Sequence, residues 1–338
     1  MYIPKSPLIL CLEVTTKCNL NCPHCVTNAD LHGTSLPQDK AISVIDEASR
    51  IGVKELVLGG GEVLLYNGFK EICEYALSRG INVSFATNGI LIPEMIDILA
   101  DLRTYNGSVR VGVSLDGYTA EMHSHFRPKE TFEIALKAID LLQNAKIALN
   151  VLCVLNKDNI TKIPQFLEFV SALNVSDIRF IPLVPLGRGK NCTNDMLSPN
   201  EFYKIIIEKQ KWNRTLKFNI GLNMPWEFLF QPDEERHPSP CEAGYLRLWI
   251  NCNGDMYPCA YMPNFYVGNI YTSTISNVWN NSTELKRFRD SSLLKGICAS
   301  CNFRDSCRGG CRGFAQFLEG DFLCSDPYCP LVNQKSFK

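Results

Sequence analysis

The chain lacks an excess of charge of either sign. Its 34 lysine and arginine residues are balanced by 35 aspartate and glutamate residues, and the formal net charge at pH 7 is −1. Proteins that bind nucleic acids usually concentrate lysine and arginine on one surface, which raises their net positive charge. The composition therefore predicts that no nucleic acid is among the partners of this protein.

The sequence also lacks long hydrophobic runs, internal repeats and low-complexity segments. No apolar stretch reaches the roughly 20 residues that a membrane-spanning helix needs. The first residues show neither the apolar core nor the small-residue cleavage site of a signal peptide. We therefore expect a globular, cytoplasmic protein with no membrane partner.

Cysteine, in contrast, is abundant, with 16 residues in a chain of 338. Thiols stay reduced in the cytoplasm, so many cysteines without an export signal indicate metal binding rather than disulfides. Eight of the 16 lie between Cys252 and Cys329, and Cys241 comes shortly before them. This shift in cysteine content, together with a charged and proline-rich stretch near residue 232, predicts two domains, 1–231 and 232–338.

In the first domain, β-branched runs alternate with amphipathic, helix-like segments. The predicted strands cover residues 8–15, 55–59, 82–86, 108–115, 147–155 and 177–182. The predicted helices cover residues 38–51, 69–79, 93–102, 132–144 and 163–173, and a later helix and a strand-like run follow at 199–212 and 216–222. Such alternation is typical of a parallel sheet with right-handed crossovers. The fold class is thus α/β, a partial (β/α)6 TIM-like barrel followed by a small cysteine-rich α+β domain.

Three cysteines, Cys18, Cys22 and Cys25, follow the first predicted strand with the spacing Cys-x3-Cys-x2-Cys. Iron–sulfur clusters usually take four cysteines, so three thiolates on a 4Fe-4S cluster leave one iron for a small molecule. A zinc knuckle remains an alternative, because His24 and His32 are close in sequence and zinc takes four cysteine or histidine ligands.

Short polar or glycine-containing motifs stand at the ends of three further predicted strands: Gly60-Gly61-Glu62, Thr87-Asn88-Gly89 and Ser114-Leu115-Asp116-Gly117. In barrels of parallel strands, the active site is built at this end. In this order, and together with the three cysteines, the motifs resemble the radical S-adenosylmethionine (SAM) superfamily. His24 stands where that family usually has an aromatic residue, and Val63 stands where it usually has proline.

The resemblance implies that Cys18, Cys22 and Cys25 bind a 4Fe-4S cluster whose open iron is chelated by SAM. It also implies reductive cleavage of SAM to a 5′-deoxyadenosyl radical. Glu62 would contact the methionine amino group, and Ser114, Asp116 and Arg127 its carboxylate and the ribose, although a solvated loop arginine is an equally open interpretation of Arg127. The full expected SAM-binding set is Gly60, Gly61, Glu62, Thr87, Asn88, Ser114, Asp116, Arg127 and Asn156.

The C-terminal cysteines follow the spacing Cys241-x12-Gly254-x4-Cys259, then Cys298-x2-Cys301-x5-Cys307-x3-Cys311, and end with Cys329 in Asp-Pro-Tyr-Cys-Pro. This spacing resembles the SPASM extension of radical SAM enzymes that mature peptides. That resemblance implies two auxiliary 4Fe-4S clusters, three clusters in all. The first would take Cys241, Cys259 and Cys311, and the second Cys298, Cys301, Cys307 and Cys329. Some relatives have a further cysteine where this chain has residues 243–248, so the first auxiliary cluster has an open iron or recruits Cys252. Cys324 competes with Cys329, and a zinc ribbon is an alternative for residues 298–311.

Of the remaining cysteines, Cys11, Cys73 and Cys153 are expected in the core, because free cysteine behaves as a small buried hydrophobe. Cys192 follows a glycine-rich stretch after the sixth predicted strand. Cys192 is the candidate catalytic residue, a donor of a hydrogen atom or a proton to the substrate, and a buried core position like that of the other three is the alternative.

The predicted function is hydrogen-atom abstraction from a ribosomally synthesised peptide. Either a separate protein presents that peptide, or the substrate is not a peptide. A flavodoxin- or ferredoxin-type protein would supply electrons. The first alternative is modification of haem side chains or of another tetrapyrrole or cofactor precursor, and sulfatase-type oxidation of a Cys or Ser comes next. A non-catalytic iron–sulfur electron carrier would explain the cysteines but not the Gly60-Gly61-Glu62 motif.

Overall fold

The computed structural model describes residues 3–216, 219–222, 224–231, 238 and 240–333. Its strands are β1 (Ile9–Thr15), β2 (Glu55–Gly60), β3 (Asn82–Thr87), β4 (Val109–Ser114), β5 (Ala148–Leu155), β6 (Asp177–Pro182), β7 (Asn219–Gly221), β8 (Arg247–Ile250), β9 (Asp255–Tyr257) and β10 (Gly268–Asn269). They form one sheet in the order β10-β9-β8-β1-β2-β3-β4-β5-β6-β7. The strands β1 to β7 are parallel to their neighbours, which confirms the predicted α/β, barrel-like class.

The helices are α1 (Gln38–Ile51), α2 (Phe69–Ser78), α3 (Ile92–Leu102), α4 (Ala120–His123), α5 (Thr131–Asn144), α6 (Ile163–Ala172), α7 (Pro199–Thr215), α8 (Ile275–Asn281), α9 (Thr283–Arg289), α10 (Arg304–Cys307) and α11 (Arg312–Glu319). The helix α7 begins with a capping box between Ser198 and Glu201. No helix within the described ranges is long and apolar enough to cross a membrane.

Side chains alternate across β1, as they do in any strand. Leu10, Leu12 and Val14 are fully buried and belong to the large apolar core, which also includes Val44 and Ile45 of α1. Cys11, Glu13 and Thr15 point to the opposite face and are also buried. Helices therefore cover one face of the sheet, and the other face lines the barrel interior.

The C-terminal part of the chain continues the barrel sheet. The strand β8 pairs in parallel with the free edge of β1, with Cys11 opposite Trp249, and β9 and β10 follow as antiparallel strands. Lys40 Nζ of α1 donates to the carbonyl oxygen of Ile270 at 2.7 Å. The predicted boundary between 231 and 232 adjoins residues 232–237, which lie outside the described residues.

Two glycines bring the end of β2 against the segment that follows β1. Gly60 has a φ of +125°, and a Cβ at this position would lie 1.9 Å from the carbonyl oxygen of Thr15. A Cβ on Gly61 would lie 2.1 Å from the carbonyl oxygen of Lys17. The amides of Gly61 and Glu62 donate to these same two oxygens, both at 2.8 Å. Glycine is therefore required by the close approach of two backbone segments.

Substitution of Gly60 by alanine should destabilise the fold far more than substitution of Gly52. Gly52 also has a positive φ, +91°, but a Cβ there would meet nothing within 4 Å. We expect G52A to lower the free energy of unfolding by about 1 kcal/mol from backbone strain alone. G60A adds overpacking against Thr15 and should lower it by roughly 3 kcal/mol or more. Urea denaturation followed by circular dichroism measures both, and equal losses would contradict the packing argument.

Candidate functional site

The three cysteines of the Cys-x3-Cys-x2-Cys motif lie in one loop between β1 and α1. Their thiols are free, and the amide of Cys18 donates to the carbonyl oxygen of Asp30 at 2.7 Å, which ties the two ends of the loop together. Burial, together with the nearby Glu62, Cys22 and Cys25, raises the pKa of the Cys18 thiol to about 11, against the opposing hydrogen bond from the Leu20 amide. A metal ion would reverse this, because a coordinating thiol is deprotonated. Three soft donors close together fit an iron–sulfur cluster.

The glycine-rich segment after β6 packs on the cysteine loop. Arg188 Nε donates to the carbonyl oxygen of Cys22 at 2.8 Å, and the Arg188 amide donates to that of Cys25 at 2.9 Å. The buried thiol of Cys192 donates to the carbonyl oxygen of Pro23 at 3.4 Å. Cys192 therefore lies beside the cysteine loop, where its thiol supports the loop backbone, and its role as a hydrogen donor remains a prediction.

His24 packs as an aromatic residue. Its ring centroid lies 4.8 Å from that of Phe126, and its Nδ1 is buried with no hydrogen-bond partner. Burial and the nearby Arg127 cation lower the pKa of His24 to about 4. The imidazole is therefore neutral at physiological pH, which is compatible with the aromatic position in the motif.

Glu62 is the centre of a buried network at the ends of β2 and β3. Its carboxylate accepts from Thr87 Oγ1 and from the amide of Asn88, both at 2.9 Å, and from the amide of Leu64 at 3.3 Å. Burial raises the pKa of Glu62, and these bonds oppose the rise. Because a carboxylate offers about four acceptor positions, room for one more donor remains. Asn88 Nδ2 also donates to Asn19 Oδ1 of the cysteine loop at 2.8 Å.

Asp116 and Arg127 form a buried ion pair. Arg127 Nε donates to Asp116 Oδ2 at 2.5 Å, and the side chains are only 12% and 2% exposed, so Arg127 is not a solvated loop arginine. The amide of Val154 donates to Asp116 Oδ1 at 2.7 Å. Burial alone would raise the pKa of Asp116, but Arg127 and the other contacts hold it below its usual value. Asp116 thus links the ends of β4 and β5.

The last two expected SAM-binding residues differ in their surroundings. Ser114 ends β4 and is partly exposed. Asn156 is buried, and its Oδ1 accepts from the amides of Asp158 and Asn159 while its Nδ2 donates to Val154. These local bonds give Asn156 a structural role in the turn after β5.

The cysteines expected to hold the first auxiliary cluster lie near one another. Burial raises the pKa of Cys259 to about 12, with Cys241 as the next contribution. Burial, then Asp326, Cys241 and Cys259, raise the pKa of Cys311. The alternative ligand Cys252 instead donates to Glu13 Oε1 of β1 at 3.2 Å.

The second auxiliary set shares one pocket. Its lining includes Phe228 and Phe303 as well as all four expected ligands, Cys298, Cys301, Cys307 and Cys329. Cys324 does not line this pocket, which favours Cys329 as the last ligand. Within the described residues, no three His, Cys, Asp or Glu side chains could share a single metal ion, as a zinc knuckle or a zinc ribbon requires.

Sequence reasoning missed several residues that organise these sites. Asn19 and Arg188 had weak signals, since one lies between motif cysteines and the other precedes Cys192. Glu13 had a stronger one, because it is a charged residue inside an otherwise apolar strand. Their partners are distant in sequence, so the contacts themselves carried no local signal.

A barrel-like parallel sheet, a three-cysteine loop beside polar strand ends and a second field of cysteines define an iron–sulfur enzyme. The chain belongs to the radical SAM superfamily, whose family model matches residues 12–170. A second model, the SPASM iron–sulfur cluster-binding domain, matches residues 241–302. The protein is therefore an enzyme that binds SAM and iron–sulfur clusters.

Two named relatives cover nearly the whole chain. The AdoMet-dependent heme synthase of Methanosarcina barkeri is 30% identical over 96% of both chains. The mycofactocin maturase MftC of Mycolicibacterium smegmatis is 30% identical over 96% of this chain and 83% of its own. Solved structures of Streptococcus suis SuiB bound to S-adenosylmethionine and of anSMEcpe bound to AdoMet share the fold. The SuiB structure has a TM-score of 0.79 and 18% identity, and the match covers 96% of this chain and 77% of that one. The anSMEcpe structure has a TM-score of 0.76 and 21% identity, and the match covers 97% of this chain and 95% of that one.

Removal of the Asp116 charge should destabilise the protein strongly at neutral pH. D116N leaves Arg127 buried without a counterion, which typically costs about 3–5 kcal/mol. Because the folded-state pKa of Asp116 is lowered, its stabilisation is present at neutral pH and is lost as the pH falls through that lowered pKa. The deficit of D116N, measured by urea denaturation at several pH values, should therefore shrink below about pH 4.

The matched control is D177N. Asp177 pairs with Arg110 at 3.0 Å, but the Arg110 side chain is 52% exposed. Exposed pairs contribute about 0–1 kcal/mol. A loss for D116N no larger than that for D177N would show that the buried pair does not support the site.

Proposed function

We propose that this protein is a peptide-modifying radical SAM enzyme that abstracts a hydrogen atom from a ribosomally synthesised peptide. The observation that supports it most is the similarity, over 96% of this chain, to the mycofactocin maturase MftC. The fold is also shared with SuiB, one structure of which is bound to the precursor peptide SuiA. A presenting protein and a flavodoxin- or ferredoxin-type reductant belong to the same proposal.

In this proposal, Cys18, Cys22 and Cys25 hold the first 4Fe-4S cluster. When bound, the cluster supplies the electron that cleaves SAM and so generates the 5′-deoxyadenosyl radical. Glu62 offers its remaining acceptor position to the methionine ammonium. Its other positions are filled by the protein, so its orientation is fixed before SAM binds. This preorganisation reduces the free energy needed to order the site on binding.

The carboxylate of SAM would meet residues at and after the end of β4. Ser114 can donate a hydrogen bond from its hydroxyl, and the guanidinium of Arg127, held in place by Asp116, suits a carboxylate. His24 and Phe126 supply an apolar wall beside the cysteine loop. Gly60, Gly61, Thr87, Asn88 and Asn156 position these groups through backbone and side-chain hydrogen bonds.

The C-terminal cysteines complete the proposal with two auxiliary 4Fe-4S clusters. Cys241, Cys259 and Cys311 would hold the first, and Cys298, Cys301, Cys307 and Cys329 the second. We place the boundary between the two domains at residues 231 and 232. The free thiols of both sets, which are soft donors with no disulfide partners, support this assignment.

Iron content should separate the three clusters. The reconstituted wild-type protein should contain about 12 irons, and the triple variant C18A/C22A/C25A about eight, as clusters of four irons predict. C73A is the control, because Cys73 lies on α2, fully buried in the apolar core, and belongs to neither expected ligand set. It should keep about 12. Mass spectrometry of iron and zinc on anaerobic samples measures this, and a triple variant with four irons, or with zinc, would contradict the assignment.

A second candidate function is modification of haem side chains. It is favoured by the relative named AdoMet-dependent heme synthase, which matches this chain over 96% of both lengths. The two candidates differ in the chemistry of the substrate, an extended peptide in one case and a rigid iron porphyrin in the other.

Substrate-dependent formation of 5′-deoxyadenosine should distinguish the candidates. The enzyme is incubated anaerobically with SAM, dithionite and either iron coproporphyrin III or short peptides encoded beside its gene. We expect a peptide to raise 5′-deoxyadenosine several-fold above the substrate-free background and to change in mass. C18A/C22A/C25A, the control, should form none. Stimulation by the porphyrin alone would favour the haem candidate, and a fully loaded enzyme that never cleaves SAM would be an electron carrier.

A further inference from the structure

Arg312 is a buried cation whose hydrogen-bonding groups are largely unsatisfied. It lies at the start of α11, directly after Cys311, and is only 4% exposed. Its Nη1 donates to the carbonyl oxygen of Arg308 at 3.2 Å, but its Nε and Nη2 have no hydrogen-bond partner. Among the residues that the structure describes, no carboxylate forms an ion pair with its guanidinium. A buried cation without a counterion is costly in free energy.

The surroundings of Arg312 offset only part of this penalty. The guanidinium lies 5.6 Å from the ring centroid of Phe288 and 5.4 Å from that of Phe322, so both rings make cation–π contacts. Such contacts stabilise a desolvated cation modestly. The Asp321 carboxylate also acts on Arg312 electrostatically, but it is paired with Lys295 at 2.7 Å, so within the described residues no carboxylate neutralises the guanidinium directly.

The position of Arg312 indicates where that negative charge comes from. Its electrostatic neighbours are Tyr245, then Cys298 of the second auxiliary set and Cys241 of the first, and finally Asp321. It also follows Cys311 in the chain. Arg247 is a second cation close to Cys241, but it is already paired with Glu242 at 2.8 Å. Arg312 is therefore the cation near both cysteine sets that lacks a carboxylate partner within the described residues.

We propose that Arg312 is a counterion shared by the two auxiliary clusters and that it raises their reduction potentials. The inference rests on the proposed function, which assigns the seven cysteines to those clusters. A 4Fe-4S cluster held by thiolates is an anion, and its reduced form carries one more negative charge. A fixed cation stabilises the reduced form more than the oxidised form. Net charge and hydrogen bonds near the sulfurs are known determinants of cluster potential.

The test measures reduction potentials in the C18A/C22A/C25A background, where only the auxiliary clusters remain. Potentiometric titration followed by electron paramagnetic resonance compares that parent with its R312M and R312K derivatives. R312M is similar in length but uncharged, and it should lower the midpoint potential of at least one auxiliary cluster. R312K keeps the charge and should stay closer to the parent. If Arg312 had a purely structural role, the midpoint potentials of the variants would not follow the charge of residue 312.

The matched control is R287M in the same background. Arg287 also lies against the Phe322 ring, at 5.2 Å, but its side chain is 48% exposed and pairs with Glu284. Solvent screens such a charge, so R287M should leave both potentials unchanged. Potentials that are the same in R312M, R287M and the parent would overturn the proposal.

Iron content keeps this test separate from the proposed function. A parent without about eight irons would contradict the cluster assignment itself, whatever Arg312 does. If R312M loses these irons but R312K does not, the reduction potential of R312K tests the role of the charge. Retained irons with a potential near that of the parent support the role of the charge. Loss of iron in both variants shows that the shape of the guanidinium is what matters and overturns the proposal.

Discussion

The hydrogen-bonded pairing of β1 on both of its edges is the constraint on which the rest of the structure depends. One edge pairs with β2, whose end carries Gly60, Gly61 and Glu62, and the other edge pairs with β8, in the cysteine-rich C-terminal part. The end of β1 leads directly into the cysteine loop. Each residue of a strand advances about 3.3 Å, so the register between β1 and β8 fixes the position of this loop relative to the C-terminal cysteines. A shift in the register of β1 against β2 would move the cysteine loop relative to Gly60, Gly61 and Glu62. A shift against β8 would move the loop relative to the C-terminal cysteines.

Buried polar groups hold the site at the strand ends in a single arrangement. Glu62 receives three hydrogen bonds, one of them from Thr87 and two from backbone amides, and Asp116 is bonded to Arg127 and to β5. Unsatisfied groups would be costly at this depth, so each network favours one geometry. Asn88 extends this constraint to the cysteine loop through Asn19. These protein groups thus order the end of the barrel at which we propose that SAM binds.

Much of the fold followed from local patterns, because parallel strands buried on both faces read as short β-branched runs between amphipathic helices. The six predicted strands differ from the structure by at most one residue at either end, and α7 extends three residues beyond its predicted end. The long-range contacts were not predictable in this way. The pairing of β8 with β1, and the bond between Arg188 and the Cys22 carbonyl across 166 residues, depend on tertiary packing. Cysteine spacing predicted which residues belong together but not what surrounds them.

The two cysteine regions differ in how their charges are balanced. Beside the cysteine loop, the buried acids Glu62 and Asp116 accept hydrogen bonds from several protein donors, and Arg127 has its counterion. In the C-terminal region, Arg312 is equally buried and has two donor atoms without acceptors. A buried cation of this kind is compatible with a stable fold where a bound ligand supplies the missing negative charge, because metal binding and folding are thermodynamically linked. At the barrel end, Asp116 and Arg127 therefore balance each other within the protein, whereas Arg312 would find its missing negative charge in the anionic clusters that we propose for the C-terminal cysteines.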